Sequence, residues 1–123
     1  MDDRTIIRAE TPADYAAIRN VLVSAFGGVV EADLVEALRR EGVIATALIA
    51  EIAGEVCGHI VMSRLQSPSD GLALAPVAVA PTHQGEGIGS ALILKAIDLA
   101  KTDGTGNLRP RRSRVLSPLR LLD

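Results

Sequence analysis

The sequence predicts an α+β domain with a mixed, mainly antiparallel sheet flanked by helices, and three observations carry that prediction. Two apolar, β-branched runs at 47–52 and 56–65 are separated only by Ala53-Gly54-Glu55, which is hairpin spacing. The first two helical periodicities fall together, ahead of the hairpin. The order β-α-α-β-β-β-α therefore lacks the regular strand–helix alternation that builds a parallel sheet. A third apolar run, 72–80, leads through a glycine-rich loop into a last helix.

Each element has a local cause. Residues 5–9, Thr-Ile-Ile-Arg-Ala, form a short β-prone run. Thr11, Pro12 and Asp14 then read as a helix start, with Thr11 as N-cap, Pro12 at the first helical position and Asp14 three residues after the cap. Tyr15, Ile18, Leu22 and Ala25 follow at helical spacing until Gly27-Gly28 stops the segment. A second helix over 31–40 turns Leu34, Val35 and Leu38 inward, with its acids early and Arg39-Arg40 last, as the helix dipole favours. After the hairpin, residues 67–71, Ser-Pro-Ser-Asp-Gly, form a turn cluster. Pro76 lies inside the following strand and cannot donate to a ladder, so one side of the strand is expected to be unpaired or bulged there. The last helix runs from Ser90 to about Lys101 with Ile88, Leu92, Ala96 and Leu99 on one face, and Asp103-Gly104-Thr105-Gly106 ends it.

Composition narrows the function classes. The 123 residues suit one domain, and 48% hydrophobic content is enough for a core, an aliphatic one because Tyr15 and Phe26 are the only aromatics. The same scarcity removes stacking platforms for bases or sugars. One cysteine, Cys57, excludes a disulfide scaffold, and two histidines make a metal cluster improbable, so no metal ligand is assigned. The lone thiol fits a reducing compartment. No apolar run reaches the roughly 18 residues of a membrane span, and the Met-Asp-Asp-Arg start is unlike a signal peptide. The expectation is a cytoplasmic protein with no membrane partner and no specific nucleic-acid partner.

Charge is unevenly spread. Residues 109–123 hold five arginines and one aspartate, net +4, whereas residues 1–108 hold eight basic and fourteen acidic residues, net −6. A break this sharp marks a boundary. The expected division is a folded unit over 1–106 and a basic tail over 107–123. That tail has three readings: a disordered end, an arm for nucleic acid or anionic lipid, or the product of a shifted reading frame. Translating the other two frames across codons 100–123 tests the last.

The chemistry lies in Gln84-Gly85-Glu86-Gly87-Ile88-Gly89. Three glycines at alternate positions let backbone amides turn toward one point, and the helix that follows adds its unpaired N–H groups and positive dipole end. The arrangement suits a phosphate; the plainer reading is a tight turn whose glycines only allow packing. A Walker loop is excluded because Gly89-Ser90 lacks the preceding lysine. A dinucleotide fingerprint is excluded because four residues, Pro81-Thr82-His83-Gln84, separate the strand from the first glycine, and the third glycine comes one residue early.

This hexapeptide, with Val77-Ala78-Val79-Ala80-Pro81 before it and Ser90-Ala91-Leu92-Ile93 after it, resembles the Gln/Arg-x-x-Gly-x-Gly/Ala signature of the GNAT superfamily of N-acetyltransferases. Ile7 to Asp14 is similar to that family's first strand and helix start, and Val56 to Ile60 to its third strand, so the resemblance covers about residues 5–103. It implies the acyl-CoA N-acyltransferase fold, with acetyl-CoA as acyl donor and an amine of a small molecule or protein as acceptor. It also implies that the backbone of Val77, Ala78 and Val79 meets pantetheine where the fourth strand splays from the fifth. Gln84 and the amides of Gly85, Gly87, Ile88, Gly89 and Ser90 would hold the pyrophosphate. Glu86 departs from the basic residue often found at its position.

No catalytic residue is assigned. Glu51, His59 and His83 are titratable candidates, each with a blander reading as a solvated or structural polar residue, and Cys57 reads as a small core hydrophobe. The tyrosine commonly used to protonate the thiolate after the third helix has no counterpart here. The closing strands of the family are equally unrecognisable, so the resemblance implies a chain truncated after the third helix. Its expected traits are missing C-terminal strands, an exposed strand edge open to homodimerisation, and exposed Leu94 and Ile97. Turnover and non-catalytic binding of acyl-CoA both remain open at this point.

Overall fold

A computed structural model describes residues 4–65, 71–102 and 108–110. The chain runs β1 (Thr5–Ala9), α1 (Tyr15–Phe26), α2 (Val30–Glu41), β2 (Ile44–Ile52), β3 (Glu55–Arg64), β4 (Leu72–Val79), α3 (Ile88–Thr102) and β5 (Leu108–Pro110), with one-turn 3-10 helices at Pro12–Asp14 and Pro81–His83. The sheet order is β1-β2-β3-β4-β5. The first four strands are antiparallel to their neighbours and β5 runs parallel to β4, so the mixed, mainly antiparallel sheet is present.

The helices divide between the two faces, and the period of two along each strand sorts the core. On one face Ile18, Leu22, Val35 and Leu38 of α1 and α2 cover Ile49, Val61 and Ala78. On the other, Ile88, Leu92, Ala96 and Ala100 of α3 cover Leu48, Ala50, Ile60, Met62, Val77 and Val79. Gly58 permits a close approach of α3 to the sheet. A Cβ there would stand 3.1 Å from Ile88 Cγ2 and from Leu92 Cδ1, which lets the start of α3 lie directly on β3.

The helix starts and stops follow local rules. The Asp14 carboxylate accepts from the Thr11 N–H at 2.8 Å, closing the expected box, although the first turn is 3-10 and the α-helix begins at Tyr15. Gly27 (φ +76°) and Gly42 (φ +71°) end α1 and α2 in the left-handed conformation that glycine adopts without penalty. β2 starts at Ile44, earlier than the apolar run suggests, because Ile44 finds a partner in Ser63 across the hairpin. Leu94 is exposed, as the sequence led one to expect, whereas Ile97 is half-buried.

Pro76 behaves as its chemistry requires. Ile60 pairs with Val77 and Met62 with Leu74, so Ala75 and Pro76 together oppose Val61 in a bulge, and the Ala75–Pro76 bond is cis. β5 adds a strand that the local pattern did not reveal: Leu108, Arg109 and Pro110 lie against Leu72, Ala73 and Leu74. A free sheet edge selects such a partner by backbone groups, which Arg-Pro composition does not advertise. The rest of the basic tail, 111–123, lies outside the described residues, as does the turn cluster at 67–70. None of the described helices is long and apolar enough to cross a membrane.

Candidate functional site

The conspicuous local geometry lies where β4 passes into α3. The Ala80 N–H donates to Cys57 O (2.8 Å), keeping the chain on β3 one residue past the strand. The Pro81–His83 turn follows, closed by the His83 N–H to Ala80 O (2.8 Å). Gln84 then reaches back, donating its side-chain Nε2–H to Val79 O at 3.0 Å. That bond caps the last carbonyl of β4 and fixes where the glycine loop starts.

Gly85 (φ +84°) and Gly87 (φ +85°) both hold the left-handed conformation, and a Cβ on either would meet nothing within 4 Å. Glycine is therefore needed for backbone direction and not for room. α3 begins at Ile88, and the Ala91 N–H already donates to Gly87 O at 3.0 Å. The amides of Ile88, Gly89 and Ser90 belong to the first turn, which has no intrahelical acceptor for them. They stand at the positive end of a fifteen-residue helix. No acidic residue lies in that first turn.

The β4 residues in the expected site divide by face. Val77 and Val79 point into the α3 core and Ala78 into the α1–α2 core, all three buried. Only their backbone groups can meet a ligand. Among the described residues, β5 covers β4 at Leu72–Leu74 alone, so from Ala75 onward this edge of β4 has no described strand partner.

The titratable candidates are not gathered at that edge. Glu51 accepts from Arg8 Nε at 3.0 Å. His59, fully buried, lies 2.8 Å from Glu10 Oε1 through Nε2. His83 Nδ1 lies 3.3 Å from Glu86 Oε1. The Cys57 thiol is directed to Ala50 O (3.4 Å), and burial pushes its pKa up, which keeps it an un-ionised core group.

His59 belongs to a network that local sequence gave no means of finding. Arg39 grips Glu10 with Nε and Nη2, at 3.2 and 3.1 Å, while its guanidinium carbon stands 3.8 Å above the Tyr15 ring. Burial pushes the Glu10 carboxyl up, but hydrogen bonds from His59 and Arg39 outweigh it and the net direction is down. Burial drives His59 down, overcoming the pull of Glu10 toward the charged form, so a neutral ring donates from Nε2. Among the described residues its Nδ1 has no hydrogen-bond partner. A second cluster fixes the start of α1: Arg8 makes paired bonds to Asp14 at 2.9 and 3.0 Å, which hold that carboxyl well below the usual range. An open groove of about 710 Å³ separates α1 from the ends of β3 and β4, with Asn20, Ser24, Glu55, Thr82 and His83 on its walls.

Residues 15–109 match the family model of the acetyltransferase (GNAT) family. The chain belongs to that family. Among curated relatives, this GNAT chain is 38% identical over 94 residues to the uncharacterised N-acetyltransferase YjhQ of Escherichia coli K12, covering 70% of itself and 51% of YjhQ. It is 31% identical over 97 residues to E. coli YhbS, also uncharacterised, covering 76% of itself and 58% of YhbS. The chain thus spans little more than half the length of these relatives. Among solved structures, a GNAT family acetyltransferase from Brucella melitensis in complex with acetyl-CoA is 36% identical, with a TM-score of 0.74 over 92% of this chain and 80% of that one. E. coli YhbS in complex with CoA is 30% identical, with a TM-score of 0.77 over 85% of this chain and 61% of that one. The family resemblance and the α+β fold inferred from sequence are both correct for this GNAT chain.

Proposed function

We propose that this chain binds acetyl-CoA along the β4–α3 junction and is the cofactor-holding part of an N-acetyltransferase that acylates an amine. The carrying observation is the pair of left-handed glycines that turn the loop into the first turn of α3, beside a β4 edge without a described partner after Leu74. The fit is favourable: the amides of Gly85, Gly87, Ile88, Gly89 and Ser90 would receive the pyrophosphate, and the backbone of Val77, Ala78 and Val79 would bond the pantetheine arm. Gln84 contributes by anchoring the loop to Val79 O. Acetyl-CoA bound there supplies the activated acyl group; the chain's part is to orient it and to keep solvent from its thioester. Relatives with acetyl-CoA or CoA bound support the assignment.

One observation favours a second reading, an acyl-CoA-binding module without turnover. β4 carries no ionisable side chain, and Glu51 and His59 are committed to Arg8 and Glu10. Titration with acetyl-CoA followed by an assay for CoA release with a panel of amines separates the two. Binding with release supports transfer, binding without release supports the module, and no binding removes both.

A further inference from the structure

The loop proposed to hold a diphosphate carries an acid at its centre and no cation of its own. From Pro81 to Leu94 there is no lysine or arginine, and the one basic residue in the last turn of α3 is Lys101. Glu86 stands between the two left-handed glycines. A free carboxylate on so short a tether can accept from the loop amides as a phosphate oxygen would, and it also repels the phosphate.

The structure contains a partner for it. Glu86 Oε1 lies 3.3 Å from His83 Nδ1, and His83 lines the groove beside α1. The histidine is well placed to act as an anchor. Its backbone is closed onto Ala80, and the next residue is tied to Val79 O. With hydrogen on Nδ1, the ring donates to the carboxylate and holds it on the groove side.

We propose that His83 is a positioning residue that tethers Glu86 away from the amides of Ile88, Gly89 and Ser90, and so sets the affinity of the loop for the diphosphate of the cosubstrate. The inference rests on the acetyl-CoA reading above.

Calorimetric titration of the full chain with CoA, and with pantetheine as a phosphate-free probe, tests it through a double-mutant cycle. His83→Ala is expected to weaken CoA about three- to tenfold by freeing the carboxylate, and Glu86→Gln to tighten it by a similar factor. In the Glu86→Gln background His83→Ala is expected to have no effect. His83→Asn, which keeps a donor near the Nδ1 position, is expected to restore most of the affinity. Pantetheine binding should not change, and the differences should shrink at about 0.5 M salt. A His83→Ala loss that persists in the Glu86→Gln background overturns the tether, as does a Glu86→Gln substitution that fails to restore CoA affinity to the His83→Ala chain. If instead the wild-type chain fails to bind CoA, or Gly87→Asp binds it as well as wild type, the loop assignment itself falls and the tether with it.

Discussion

Gly87→Asp puts the loop assignment under the most direct strain, because stability and affinity should move apart. A Cβ at Gly87 meets nothing within 4 Å, so the substitution crowds no neighbour; its cost is backbone, at φ +85°. A left-handed non-glycine residue costs about 1–2 kcal/mol, toward the lower end for aspartate. The new carboxylate precedes the positive end of α3, where it recovers roughly 0.3–1 kcal/mol. The variant should therefore fold with little loss of stability. Affinity behaves differently. A carboxylate about 6 Å from one phosphate charge opposes it by roughly 0.7 kcal/mol at the dielectric of water and roughly 2.8 kcal/mol at an effective value near 20. The expected loss is about 1–3 kcal/mol, or about 5- to 150-fold in Kd. Gly42→Asp is the matched control, since Gly42 is also left-handed (φ +71°) and open, but ends α2 on the opposite face of the sheet from α3. There the charge meets the negative end of a helix, so the control should lose more stability and no CoA affinity. Thermal unfolding and CoA titration of both variants decide the matter. Equal losses of affinity at the two positions, or a folded Gly87→Asp that binds normally, would refute the loop as the phosphate site.

Other expectations follow from the packing and the buried polar network. Between the lowered pKa of buried His59 and its ordinary value of 6.5, the unfolded chain binds a proton that the folded chain does not. Stability should therefore rise with pH through that window, and Glu10, lowered from 4.5, adds a rise of the same sign at more acid pH. Unfolding midpoints measured from about pH 5 to 8 should fall on acidification, and His59→Gln should flatten the dependence above pH 5; an already flat wild-type profile would contradict a neutral buried His59. Glu10→Ala strips both His59 and Arg39 of their acceptor, and urea denaturation should register a loss of about 2–4 kcal/mol. Gly58→Val drives a side chain into Ile88 and Leu92 and should cost about 1–3 kcal/mol, with a lowered Tm as the readout. Any homodimer formed through the β4 edge beyond Leu74 would use the backbone groups assigned to pantetheine, so light scattering should show CoA dissociating it; a dimer indifferent to CoA must use another surface.

Much of this molecule was legible locally. The Thr11–Asp14 box, the glycine stops after α1 and α2 and the Ala53-Gly54-Glu55 hairpin depend on neighbours a few residues apart, which the sequence displays directly. The glycine loop is of the same kind, because its backbone conformation is dictated by residues within it. The bulge at Pro76 was also foreseeable, since a missing N–H must interrupt a ladder somewhere. Chain folding alone decided what depends on distance. Glu10, Arg39 and His59 meet across 29 and 49 residues of separation, with no periodicity to announce them. It also committed Glu51 to Arg8, turning a candidate base into half of an ion pair. Leu108–Pro110 became a strand because β4 offered an edge and not because Leu-Arg-Pro favours one. Sequence by itself carried the family resemblance, through a short contiguous motif, and the glycine loop proposed for the cosubstrate, because a loop's backbone conformation rests on short-range rules. Which polar groups stay free to do chemistry was settled by tertiary contacts, because a charge is available only if no distant partner has already claimed it.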